Sequence, residues 1–309
     1  MTLPAVLIEA FAPGPCQGNG AAVVRLATPL ADGALQAIAT SLRQSETAFL
    51  LHRAGQWLLR WFTPCCEVPL CGHATLAALL ALAHWGELAP GDSLTFHSRS
   101  GPLAVRLHGQ RPGCGSLVLP APPLQPAALP NHLEALLAER CGVQVEAFWT
   151  SRLGYAVALL PQGSGLEPLD GLAEPLRDAP WAGLVVMAAT APDQQPPLPL
   201  VQGLPPSYQL RFFAPALGIP EDPVTGSAHA LVAPYWLART GRSEVAGWQP
   251  SARAGGMVCS AASSGMIRLL GTGHLLWDGA LHFGPSGAGP SSSGDSDAVA
   301  GWEALHPLG

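Results

Sequence analysis

Two stretches of this chain gather acids, a histidine, a thiol and hydroxyls around glycines, and they can be laid over each other. The first is Arg60-Trp-Phe-Thr-Pro-Cys-Cys-Glu67-Val-Pro-Leu-Cys71-Gly72-His73-Ala-Thr. The second runs from Arg211-Phe-Phe-Ala-Pro to Glu221-Asp222-Pro-Val-Thr225-Gly226-Ser227-Ala-His229, with three extra residues before the glutamate. Arg60 then pairs with Arg211, Phe62 with Phe213, Pro64 with Pro215, Glu67 with Glu221, Pro69 with Pro223 and Gly72 with Gly226. A Gly/Pro-rich chain could produce some of this by chance. The duplicated unit is the stronger reading: a strand, a tight turn, then a helix that starts at glycine.

Such a pair has chemical consequences. The first N–H groups of a helix lack intrahelical partners and carry partial positive charge. If two halves pack about a pseudo-twofold axis, both helix starts can face one cleft and hold a carboxylate or an enolate-like anion. Each good donor to a developing oxyanion is worth ~3 kcal/mol. The substrate expected is therefore a small organic carboxylate. Taken singly, His73 and Ser227 also read as helix-start residues, and Asp222 as a turn residue before Pro223.

The elements that must position these groups follow from pattern. Residues 5–11 and 21–26 read as strands around a Gly/Pro loop, and Asp32 as the N-cap of a helix to about Arg43. Strands are expected at 47–51, 57–62, 94–97, 103–108 and 115–119. Ala74 to Trp85 is apolar on every side, so that helix must be enclosed. Pro120 to Pro130 is the expected linker. The second half repeats the order: a helix at 131–140, strands near 147–160, 184–189 and 211–213, a helix over 228–240, and strands at 256–260, 266–270 and 274–282. The expected division is 1–122, 123–283, and a Gly/Ser-rich disordered tail at 284–309 with Trp302 a stray anchor.

Composition narrows the function classes. The chain has 309 residues, a net charge of −6 and 12% charged residues. That disfavours nucleic acid and anionic membranes, which need clustered cations. All 15 basic residues are arginine. Without lysine there is no pyridoxal or Schiff-base chemistry, and no cofactor is expected. Seven cysteines, an odd number with one adjacent pair, make a poor disulfide framework. No paired CxxC or CxxC/HxxxH spacing marks structural zinc, so no metal is expected. The N-terminus lacks signal-peptide features and no apolar run is long enough to span a membrane. A reduced, cytoplasmic protein is expected.

Gly18-Asn19-Gly-Ala-Ala-Val, Ser45-Glu46-Thr-Ala-Phe and the two long motifs resemble the PhzF family in order and spacing, with wording closest to its animal branch. The resemblance covers roughly residues 3–283. It implies an α+β, diaminopimelate-epimerase-like fold: two pseudo-twofold-related domains, each a curved sheet around a central helix, the last strand returning to the first. It also implies a cofactor-independent isomerase in which Glu46 moves the proton, assisted by His73 and Asp222. Asn19, Gly72, Gly226, Ser227 and Arg253 would hold the substrate, and the protein would be a homodimer. Desolvation is expected to raise the Glu46 pKa, and the helix start to keep His73 neutral. Two departures stand out. Gly20 replaces the family's usual proline and should loosen its loop. An extra residue follows Arg253 before the glycine pair and puts that arginine's placement in question. A two-thiol racemase is disfavoured because the partner of Cys71 is Thr225, whose hydroxyl cannot ionise like a thiol. A protein-interaction module with a silent site is the other alternative.

Overall fold

A computed structural model of the chain describes residues 1–109, 111–263, 265–282, 284 and 300–305. The first half contains β1 (Thr2–Ala10), β2 (Asn19–Leu26), α1 (Asp32–Leu42), β3 (Glu46–Arg53), β4 (Gln56–Phe62) and β5 (Glu67–Val68). It continues with α2 (Gly72–His84), β6 (Ser93–Ser98), β7 (Gly101–Leu107) and β8 (Cys114–Pro120). The second half contains β9 (Gln125–Pro126), α3 (Asn131–Cys141), β10 (Ala147–Thr150), β11 (Tyr155–Leu160), β12 (Gly183–Ala189) and β13 (Tyr208–Ala214). Then come β14 (Ile219–Asp222), α4 (Gly226–Thr240), β15 (Glu244–Gln249), β16 (Gly255–Ser263) and β17 (Met266–His282).

The duplication read from two motifs extends through the whole pairing scheme. In the first half β1–β2 is antiparallel, β2–β3 parallel, β3–β4 antiparallel and β4–β6 parallel. In the second, β10–β11, β11–β12, β12–β13 and β13–β15 repeat those senses in order. β8 and β17 pair antiparallel at the junction and each then crosses over. β17 runs on to pair with β1, while β8 leads into β9, which pairs with β10. Each crossing closes one ring of strands. The Pro-rich stretch expected as a linker thus carries one of these crossings.

α2 fills the first ring: every residue from Gly72 to Leu82 is buried. Its alanines let strands approach closely, and each enclosed leucine contributes about 2 kcal/mol. α4 occupies the second ring and shares one continuous core with α2. α1 and α3 lie outside, each over its own smaller core. Among the described residues, no helix is long and apolar enough to cross a membrane.

Two expectations change here. Asp32 is the first helical residue and Ala31 the N-cap; the Asp32 side chain serves Arg60 instead, at 2.8 Å. Trp302 is no stray anchor. It is fully buried, its indole N–H donates to the Leu30 carbonyl at 3.1 Å, and its ring lies under Arg60, 5.2 Å from the guanidinium. Residues 285–299 and 306–309 of the expected tail lie outside the described residues.

The turn before each central helix is clamped. Arg60 on β4 forks onto both oxygens of Glu67 at 2.8 and 2.7 Å, and Arg211 on β13 forks onto Glu221 at 2.7 and 2.6 Å. Both arginines are buried, and only the planar guanidinium makes this two-point contact. Removing Glu67 leaves the buried Arg60 with only the exposed Asp32 as an acidic partner. Glu67→Ala should therefore lower stability by about 3 kcal/mol in urea unfolding; a loss below ~1 kcal/mol, the range of an exposed pair, would show that the clamp does not hold the turn.

Candidate functional site

The two clamped turns deliver their helices to one point. A Cβ added to Gly72 would sit 3.3 Å from the Cα of Gly226, and one added to Gly226 would sit 3.3 Å from the Cα of Gly72. Each would also crowd a leucine of the crossing strands, Leu119 on β8 at 3.2 Å and Leu269 on β17 at 3.4 Å. The pseudo-twofold axis passes between these glycines. A Cβ at either position would press on the other helix start closely enough that it must give by a few tenths of an ångström.

β3 begins at Glu46, which pairs with Ala21 of β2, so the carboxyl stands beside this junction. Its Oε2 lies 3.1 Å from Nε2 of His73, and both side chains are at least nine-tenths buried. Ser45 Oγ is 3.1 Å from the same ring nitrogen and donates to Asn19 Oδ1 at 3.0 Å. Cys71 Sγ is 3.5 Å from Nδ1 of His73. Asn19 ties the halves together: its amide donates to Asp222 Oδ1 at 2.6 Å and to the Val224 carbonyl at 3.1 Å, and sits 3.1 Å from His73 Nδ1. Thr225 Oγ1 donates to the other Asp222 oxygen at 2.6 Å, and Gln249 bridges the Asp222 carbonyl and the Thr225 N–H.

Glu46, His73, Asp222, Asn19, Gly72 and Gly226 thus form one connected cluster. Ser227 stands at its edge, its hydroxyl 3.2 Å from that of Tyr155. Arg253 forms an ion pair with the buried Glu9 on β1, which pairs with Gly20 beside Asn19. Gly20 lies within β2, paired with Glu9, and loosens no loop. His229 is enclosed against Tyr208 at 2.9 Å, and burial holds it neutral, down to about 3. Ser45, Tyr155, Gln249 and Cys71 have no role at the site in the sequence reading, although Ser45 and Cys71 stand inside the motifs, directly before Glu46 and Gly72.

The electrostatics differ from expectation. Burial pushes the Glu46 carboxyl up, but the His73 charge and hydrogen bonds from His73, Ser45 and Cys71 outweigh it and hold the group below its ordinary range. Burial and a helix start both disfavour imidazolium at His73. Its partners Cys71 and Glu46, with which it also hydrogen-bonds, outweigh both and raise His73 well above its ordinary range. Burial and the Glu46 charge push the Cys71 thiol up to about 11, so it is neutral near pH 7 and Glu46 is the anion that holds the imidazolium. The resting pair is carboxylate and imidazolium. Burial, joined by the Glu46 charge, pushes Asp222 up to about 6 against the pull of His73 and the bonds from Thr225 and Asn19.

A sequence profile of phenazine biosynthesis-like proteins, PhzC-PhzF, matches residues 8–162 and 188–265. The chain belongs to the PhzF family. An uncharacterized isomerase of Pseudomonas aeruginosa is 38% identical over 254 residues, covering 82% of this chain and 88% of that protein. The human phenazine biosynthesis-like domain-containing protein is 33% identical over 299 residues, covering 91% of this chain and 99% of its own length. The crystal structure of a PhzF-family protein from Enterococcus faecalis superposes with a TM-score of 0.77 at 30% identity, covering 92% of this chain and all of that one. The fold is the diaminopimelate-epimerase-like one that the resemblance implied.

In this PhzF-family chain the buried Asp222 carries a stability signature. Its folded pKa of about 6 lies above the ordinary 3.8, so its contribution is full at low pH and is lost as pH rises through about 6. The stability of the native chain relative to Asp222→Asn should therefore fall between about pH 4 and pH 6 in urea unfolding. A difference that stays flat or rises over that range contradicts the assignment.

Proposed function

We propose that this chain is an isomerase that moves a proton within a small organic carboxylate, with Glu46 as the base and His73 as its charged partner. The observation that carries this reading is the buried 3.1 Å contact between Glu46 and His73 beside the abutting starts of α2 and α4. Glu46 takes the proton from a substrate carbon. The C–H bond breaks, an O–H bond forms on Glu46, and the electron pair spreads into the substrate as an enolate-like anion. The unpaired N–H groups of the two helix starts and the His73 imidazolium face that charge. Glu46 then returns the proton to a different carbon, so no atom or electron is gained or lost and no cofactor is required. Tyr155, Ser227 and Thr225 contribute neutral hydroxyls from the second half.

The racemase reading needs a second thiol opposite Cys71. Thr225 stands there and already donates to Asp222.

A panel of small carboxylates in deuterated water tests the reading by proton NMR. At least one acid should lose a C–H signal or convert to its isomer in the presence of the chain. Glu46→Gln should slow this by about 10²–10⁴-fold, the usual span of general acid–base catalysis, in protein that still unfolds cooperatively and keeps the native circular dichroism. The rate should climb as Glu46 ionises on the acid side and decline as His73 loses its proton on the alkaline side. Turnover that survives Glu46→Gln removes Glu46 from the chemistry.

A further inference from the structure

Cys71 takes no part in the proton transfer proposed above, yet it completes a set of metal-ligand types. Its Sγ lies 3.5 Å from Nδ1 and 3.9 Å from Nε2 of His73, and Nε2 lies 3.1 Å from Glu46 Oε2. One ligand atom from each of the three residues falls within 4.8 Å of the other two. In a tetrahedral zinc site, bond lengths of about 2.0–2.3 Å put neighbouring ligand atoms roughly 3.3–3.6 Å apart. The two contacts to His73 Nε2, 3.9 Å from Cys71 Sγ and 3.1 Å from Glu46 Oε2, lie within a few tenths of an ångström of that spacing, and the third separation is at most 4.8 Å. Glu46 brings a buried carboxylate oxygen to the same point: its Oε2 faces His73 Nε2 at 3.1 Å in poor hydrogen-bond alignment, beside the Cys71 thiol.

We propose that Glu46, Cys71 and His73 form a chelating site for a borderline-soft divalent cation such as Zn²⁺, and that the loaded state cannot transfer a proton. Thiolate, imidazole and carboxylate together favour zinc, cobalt or cadmium over magnesium and calcium, which prefer oxygen-only shells. Binding forms metal–sulfur, metal–nitrogen and metal–oxygen bonds and releases the Cys71 thiol proton and one imidazolium proton to solvent. Metal and substrate proton then compete for the same Glu46 oxygen. Three protein ligands leave a fourth position open, unlike the closed four-ligand motifs that sequence spacing can reveal. Here the third ligand comes from β3, distant in sequence from the Cys-x-His pair. The silencing half of the proposal rests on the proton-transfer reading; the binding half does not.

Cobalt is the probe, because its spectrum reports both thiolate ligation and coordination number. The exposed thiols Cys16, Cys65 and Cys66 are first changed to serine so that they cannot contribute. Anaerobic titration of Co²⁺ into that full chain should saturate at one equivalent. It should give a near-ultraviolet thiolate-to-cobalt band and the strong visible bands of four-coordinate cobalt. Zn²⁺ should abolish both, and excess Mg²⁺ neither. Adding Cys71→Ser should remove the charge-transfer band while leaving the metal-free melting temperature unchanged, and Glu46→Gln should weaken binding at least tenfold. If Cys71→Ser does not fold, His73→Gln provides the same test, with loss of the visible bands. No band at one equivalent, or a band indifferent to both changes, overturns the site. Zinc that binds there yet leaves Glu46-dependent deuterium exchange running overturns the silencing.

Discussion

The contact between Gly72 and Gly226 is the constraint on which the rest of the structure depends. Two helices that start within van der Waals reach of each other need glycine at both positions. They also need turns rigid enough to aim them, which the buried Arg60–Glu67 and Arg211–Glu221 forks provide. The crossing strands β8 and β17 then lock the halves, because each ring is closed by a strand that belongs in part to the other. The junction is therefore a product of the whole topology.

The scaffold is symmetric and the chemistry is not. Strand register shows how the symmetry is broken. Phe62 opposes Thr47, and its counterpart Phe213 opposes Leu184. Glu46 accordingly corresponds to Gly183, and Ala21 to Tyr155, which pair with each other in the same sense. His73 corresponds to Ser227 and Cys71 to Thr225. The first half thus supplies a carboxyl, an imidazole and a thiol, and the second supplies hydroxyls at the matching places. Its remaining acid, Asp222, is held by Thr225 and Asn19. The enclosed Glu46–His73 pair, with Asp222 as the junction's second acid, is a physical reason for a directed proton site: the two opposite charges face each other, and little solvent screens them.

Much of this was legible in the sequence because it is written in local pattern. The duplicated motif revealed the repeat, the glycine-led helix starts and both arginines. The uninterrupted apolar run after His73 required an enclosed helix, and α2 is one. What stayed hidden depends on long-range burial. Glu46 stands below its ordinary pKa because His73 arrives from 27 positions downstream. No window of sequence shows that His73 outweighs desolvation. Trp302 sits in a composition that reads as disordered, yet it caps the Arg60 clamp from the far end of the chain. Arg253 matched a motif but found the buried Glu9 as its partner, a contact set by the packing of β1 against the loop between β15 and β16. Tyr155 had no motif at all and is visible only through the register of β11.

Glu46 is ionised and His73 protonated within one buried junction. Nitrogen NMR of histidine-labelled protein, taken across neutral and alkaline pH, measures this directly. The His73 ring nitrogens should stay in the imidazolium range well beyond pH ~6.5, where an ordinary histidine titrates, and in Glu46→Gln should lose the proton at clearly lower pH, since burial and the helix start then go unopposed by a carboxylate. A His73 that titrates normally with Glu46 in place, or whose shifts ignore the glutamine change, would contradict it.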